Sequence, residues 1–171
     1  WKVSNSTGTA TLAAAFSIRV AEGCPTNSVL NLAITRYTRF TLWNGAPGAG
    51  SGTISSLAVC ISSPSAALEL GMDETYDLRV PTSGQATLNA TTAFGALRGL
   101  ETFAQLVELQ GAVFPSEVER QPAPPANTYQ IAGTPITVTD KPRFPWRGLR
   151  ICYLLRPQQH CFSLVFSRAD D

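Results

Sequence analysis

Two adjacent carboxylates, Asp73 and Glu74, follow Gly71-Met72 and are the first candidates for acid–base chemistry, since one carboxylate can orient a reacting group while its neighbour moves the proton. Neighbouring strand residues point to opposite faces, however, so the pair reads as a turn running into a strand. Cys152, His160 and Cys161 offer three metal ligands in an irregular spacing, unlike the paired short spacings of zinc sites, and no metal is expected. His160 is the only histidine, so any Ser-His-Asp or Cys-His nucleophile would rest on it, and that reading is rejected. The glycine-rich run 44–53 lacks the Gly-Lys-Ser/Thr ending of a phosphate cradle and reads as a flexible loop. No catalytic residue and no cofactor are expected within the chain.

Cys24 and Cys60 could pair in an oxidising compartment, and a buried free thiol at Cys60 is an equal alternative; spacing does not decide between them. Asn5-Ser-Thr7 and Asn89-Ala-Thr91 are N-glycosylation sequons that fit a secretory route.

The elements that must position these residues come from a chain of 171 residues, 44% apolar. That suffices for one domain with a real core, and falls short of adding a (β/α)₈ barrel of about 250 residues. With 13 basic and 12 acidic side chains the net charge is +1, which gives no field for nucleic acid or an anionic membrane. No apolar run approaches the roughly 20 residues of a membrane helix. The chain starts at Trp1 without a signal peptide and reads as a processed or incomplete product.

Periodicity predicts a strand near 15–20, then a helix from Thr26 with Val29, Leu30, Ala33, Ile34, Tyr37 and Phe40 on one face and Pro25-Thr26 as its start signal. Period-two patterns predict strands over Ile54–Ile61, Tyr76–Val80 and Gln85–Asn89. A second helix follows over about Thr92–Leu109, closed by Gly111. Its internal Gly95 and Gly99 each cost about 1 kcal/mol relative to Ala, which implies close approach to the sheet or to a partner domain. Pro115–Asn127 reads as a surface excursion. Tyr129–Ala132 and Thr134–Thr139 read as a hairpin around Gly133. The expected class is α+β, an antiparallel or mixed sheet with two helices packed on one face.

The run Gly95-Ala-Leu-Arg-Gly-Leu-Glu-Thr-Phe103 stands between Asp73-Glu-Thr-Tyr-Asp-Leu-Arg-Val80 and Ile136-Thr-Val-Thr-Asp-Lys-Pro-Arg-Phe-Pro-Trp-Arg-Gly-Leu149. This order resembles the non-catalytic N-terminal domain of the β-N-acetylhexosaminidases, glycoside hydrolase family 20. The resemblance is strong over 57–149, fainter over 9–42, and stops at Leu149 or Arg150. It implies residues 1–142 as the α+β domain, 143–150 as the start of a first barrel strand, and 151–171 as a divergent tail from a shifted frame, a retained intron or an alternative exon. It also implies a substrate-assisted mechanism whose Asp-Glu pair, in a His-x-Gly-Gly-Asp-Glu setting, has no counterpart here. Arg147 matches the family's arginine that donates to hydroxyls of the terminal sugar, a role suited to a planar guanidinium, but only in a complete enzyme.

The expected function is thus the N-terminal portion of an enzyme that removes terminal non-reducing β-linked GlcNAc or GalNAc from glycoconjugates, this portion being non-catalytic. The resemblance further implies a homodimer of the full enzyme and a lysosomal, vacuolar or secreted setting. The alternative is an independent binding or scaffolding module, in which Phe162, Leu164, Val165 and Phe166 of the tail would cover apolar surface. Ancillary domains of α-N-acetylglucosaminidases or α-glucuronidases share the fold, but the Gly95–Phe103 run and Phe144-Pro-Trp-Arg-Gly148 argue against them.

Overall fold

The computed structural model describes residues 2–4, 6–42, 45–47, 52–69, 71–110 and 128–141, together with the backbone of 149–155 and 158–164. The chain divides into two units, Trp1–Ala67 with Asp73–Lys141, and Leu68–Met72 with Pro142–Asp171.

In the first unit the strands are β1 (Lys2–Ser4), β2 (Gly8–Val20), β3 (Ile54–Ile61), β4 (Tyr76–Val80), β5 (Gly84–Ala90), β6 (Glu108–Leu109), β7 (Tyr129–Thr134) and β8 (Ile136–Asp140), and the helices are α1 (Ser28–Thr41) and α2 (Ala93–Leu106). The sheet order is β1-β8-β4-β5-β3-β2-β7-β6. β3 runs parallel to β2 and β5, while β4 is antiparallel to β5 and β8. The sheet is therefore mixed, and α1 is the crossover that parallel pairing of β2 and β3 requires.

The expected hairpin over 129–139 does not form. β7 pairs with β2 and β6, and β8 pairs with β1 and β4. β7 and β8 are instead divided at Pro135 and face two successive strands: Lys2–Ser4 lie opposite Thr137–Thr139, and Thr9–Thr11 lie opposite Gln130–Ala132. Between these stretches the register slips by one, Gly8 facing Thr134, so that Gly133 is the extra residue, at φ 82°. A bulge with glycine in the left-handed region inverts the alternation. Tyr129 and Ile131 before it and Ile136 and Val138 after it can therefore all be buried, which an unbroken period of two would forbid.

The core lies between one face of the sheet and the two helices. Leu57, Val59 and Ile61 of β3, Ala86, Leu88 and Ala90 of β5, and Tyr76, Leu78 and Val80 of β4 are buried, joined by Leu30, Ala33 and Tyr37 of α1 and Ala93, Ala96, Leu100 and Phe103 of α2. The alternate residues Arg79, Asn89 and Thr139 are exposed on the other face.

Several boundaries differ from the sequence expectation. β2 begins at Gly8 because its first half pairs with β7, a long-range pairing that local pattern does not report. α1 is capped by Asn27, whose Oδ1 accepts from the Leu30 N–H at 2.9 Å, and not by Pro25-Thr26; asparagine is among the best residues for that position. Phe40 is 58% exposed and so lies off the buried stripe, touching Tyr37 edge-on. α2 ends at Leu106, since Val107 is extended and Glu108–Leu109 pair with β7. The Gly111 stop and the 115–127 excursion lie outside the described residues.

In the second unit, β9 (Leu149–Leu155) and β10 (Gln158–Leu164) pair antiparallel, with Cys152 opposite Cys161 and Tyr153 opposite His160.

Candidate functional site

The chemistry-bearing residues of the first unit converge on α2. Thr92 caps this helix, its Oγ1 accepting from the Gly95 N–H at 3.1 Å and donating to the Asp73 carbonyl at 2.6 Å. The helix start is thereby tied to the acidic turn that the sequence singled out.

Within that turn the two carboxylates do separate work. Asp73 Oδ1 accepts from the Thr75 N–H at 3.0 Å and the Thr75 hydroxyl at 2.5 Å. The Thr75 hydroxyl, followed by its N–H and then the Thr91 hydroxyl, holds the Asp73 carboxyl below its ordinary value. Glu74 Oε1 accepts from Arg98 Nε at 3.1 Å and from its terminal nitrogen at 2.9 Å. Neither carboxylate is aimed at a shared point: one closes a turn, the other ties α2 to the segment before β4.

The remaining polar residues of the 95–103 run are spent in the same way. Glu101 accepts from the Tyr37 hydroxyl of α1 at 2.7 Å and from Gln105 Nε2 at 3.0 Å. Burial first, and the Glu101 contact second, push Tyr37 up to about 12. Thr102 shares a 2.7 Å hydrogen bond with the hydroxyl of Tyr76, which burial raises above its ordinary value. Phe103 stacks on Phe16 of β2 with centroids 5.9 Å apart.

The two glycines explain how α2 sits so close. A Cβ on Gly95 would fall 2.6 Å from the Thr75 carbonyl oxygen, and one on Gly99 would fall 2.2 Å from Leu88 Cδ1 and 3.0 Å from Tyr76 Cδ2. Close approach of helix to sheet is therefore the packing reason that offsets the propensity cost of two helical glycines.

Cys24 and Cys60 are joined by a disulfide with Cα atoms 5.4 Å apart, linking the loop before α1 to β3. Asn89 lies exposed on β5. Arg147 and Asn5 lie outside the described residues. The Tyr37–Glu101 and Tyr76–Thr102 pairs were not found in the sequence; the local signal was a tyrosine within an otherwise apolar stripe, whose hydroxyl must find a partner when buried.

Among the described residues the first unit is thus a mixed sheet carrying two helices, with the polar groups of the α2 run bonded to neighbours in the same unit, and no (β/α)₈ barrel. Comparison with known proteins agrees. Residues 3–106 match the family model described as beta-acetyl hexosaminidase like. Beta-hexosaminidase subunit A1 of Dictyostelium discoideum is 33% identical over 126 residues, covering 73% of this chain and 21% of that protein. Beta-hexosaminidase 1 of Arabidopsis thaliana is 39% identical over 104 residues, covering 57% and 17%. Among solved structures, Flavobacterium johnsoniae chitobiase superposes with a TM-score of 0.58 at 25% identity, over 86% of this chain and 21% of that one. The chain belongs to the β-hexosaminidase-like family of glycoside hydrolase family 20, as its N-terminal domain. It spans about a fifth of the length of these relatives. No helix among the described residues is long and apolar enough to cross a membrane.

Proposed function

We propose that this chain is the bracing domain of a β-N-acetylhexosaminidase and takes no catalytic part itself. The observation that carries this reading is that the polar side chains of α2 are engaged within its own unit: Arg98 bonds Glu74, Glu101 bonds Tyr37 and Thr102 bonds Tyr76, while the Asp73-Glu74 pair serves a turn and an ion pair. In the complete enzyme a separate barrel would remove terminal non-reducing β-linked GlcNAc or GalNAc, by the substrate-assisted retaining route in which the sugar's own acetamido oxygen attacks.

On this reading residues 1–142 form the ancillary domain, 143–150 begin the first barrel strand, and 151–171 stand where the barrel would continue. Arg147 would then donate to hydroxyls of the terminal sugar, and only once the other barrel strands close around it. This reading puts the chain in the secretory pathway, and the Cys24–Cys60 disulfide and the sequons at Asn5 and Asn89 support it, since both suit an oxidising lumen. The complete enzyme is read as a homodimer.

The purified chain is expected to show no turnover of a chromogenic N-acetylglucosaminide. A chain joined after Arg150 to a barrel bearing the His-x-Gly-Gly-Asp-Glu motif is expected to hydrolyse it, with KM raised by Arg147→Ala. Turnover by the isolated chain that disappears on Asp73→Asn or Glu74→Gln would overturn the assignment. A joined barrel whose activity and stability are indifferent to this domain would favour an independent binding module.

A further inference from the structure

We infer that Asn89 is an N-glycan attachment site and that its glycan stands on the face of the sheet opposite the helices. The inference rests on the secretory placement proposed above and adds where the sugar goes. Leu88 and Ala90 point toward α2, since Leu88 Cδ1 and Ala90 Cβ are the atoms that a side chain on Gly99 or Gly95 would meet. Strand alternation turns the intervening Asn89 away from the helices, and both Asn89 and Thr91 are exposed.

The neighbours on that face leave the amide room. Across one ladder Asn89 stands beside Cys60, whose sulfur is held by Cys24. Across the other it stands beside Asp77, whose Oδ1 accepts from Thr139 Oγ1 at 2.5 Å. Each flanking side chain is thus drawn to a partner other than Asn89. A glycan is bulky and strongly hydrated, so it is tolerated only where the folded chain presents the amide to solvent. A sugar here would screen a polar sheet face while leaving both helices uncovered, so it would not obstruct whatever the helical side braces.

The test is to express the full chain behind a secretory leader in a eukaryotic host and recover it from the medium. Non-reducing electrophoresis first establishes that the Cys24–Cys60 disulfide has formed, which shows passage through an oxidising lumen independently of glycosylation. Peptide N-glycosidase treatment is then expected to convert Asn89 to Asp in the peptide mass spectrum. In a chain whose Asn5 is replaced by Gln, so that Asn89-Ala-Thr91 is the one sequon left, Asn89→Gln should abolish the shift in electrophoretic mobility that the same enzyme produces, and Thr91→Ser should keep it. Because the Thr91 hydroxyl also reaches Asp73, Thr91→Ala could impair folding; Asn89→Gln and Thr91→Ser answer the question without it. A disulfide-bonded, secreted chain with unmodified Asn89 would overturn the inference and leave the bracing role intact. Failure of the activity test above would remove the bracing role and leave the glycan assignment to its own measurement.

Discussion

The helices α1 and α2 are the same length, 14 residues each, and both are capped by a side-chain oxygen, Asn27 and Thr92 respectively. They are held very differently. α2 lies against β4, β5 and β3, with glycines where it touches and with hydrogen bonds to β4 and to α1. α1 packs on α2 and β2, and leaves Leu32 73% and Phe40 58% exposed. Amphipathic pattern thus sets which helices exist, while the small residues and the tyrosine partners set which helix the sheet is built around.

Phenylalanine occurs in both helices and allows the sharpest test. Phe103 is fully buried and stacked on Phe16, so Phe103→Ala should cost about 3–5 kcal/mol. Phe40→Ala removes an exposed ring and should change stability by no more than about 0.5 kcal/mol. Urea unfolding of both variants decides it; equal losses would mean that α1 is buried as deeply as α2.

The next largest effect is expected at the glycines. Gly95→Ala meets the Thr75 carbonyl oxygen in the turn just before β4, backbone that cannot rotate aside as a side chain can, and should destabilise by about 1–3 kcal/mol as an overpacked site. Gly99→Ala meets the end of the Leu88 side chain, which can turn aside. Its loss should be the smaller of the two, partly offset by the roughly 1 kcal/mol that alanine gains over glycine in a helix. Thermal melts that reverse this order would show that α2 approaches the sheet elsewhere than at its first turn.

The smallest effect concerns the link between the helices. Tyr37 is raised from 10.0 to about 12. A group whose folded value is raised contributes stability that is fully present below its unfolded value and is lost as pH climbs toward the folded one. Stability should therefore hold up to pH 10 and decline between 10 and about 12. Glu101→Gln should lower the Tyr37 midpoint in an ultraviolet titration, because it removes the carboxylate's contribution and leaves burial. An unchanged midpoint would show that burial alone sets it.

Much of this was legible without coordinates. Strand and helix positions followed from periods of two and 3.6, and the mid-helix glycines announced a close contact because nothing else offsets their propensity cost. The 129–139 segment was misread because two successive strands that pair with different partners carry the same alternation as a hairpin; Gly133 marked an irregularity between them, but not whether the chain turned back. The Asn27 cap was missed beside Pro25 and Thr26, which are also good starters, and only the hydrogen bond to Leu30 distinguishes them. The Gly95–Phe103 run carried the family resemblance, yet its polar residues gave no sign that their partners lie in α1, β4 and the turn at Asp73.

By itself, then, the order of residues determined the element types, the mixed or antiparallel sheet under two helices and the reading of Asp73-Glu74 as a turn running into a strand, because these follow from alternation, propensity and the reach of adjacent side chains. Only the tertiary structure decided that β3 lies between β2 and β5, that Cys24 meets Cys60, and that Arg98, Glu101 and Thr102 fasten α2 in place. Those contacts join residues separated by 24 to 64 positions. Which distant groups meet depends on the packing of the whole core, in which each partner competes with water and with every other polar group the fold brings near.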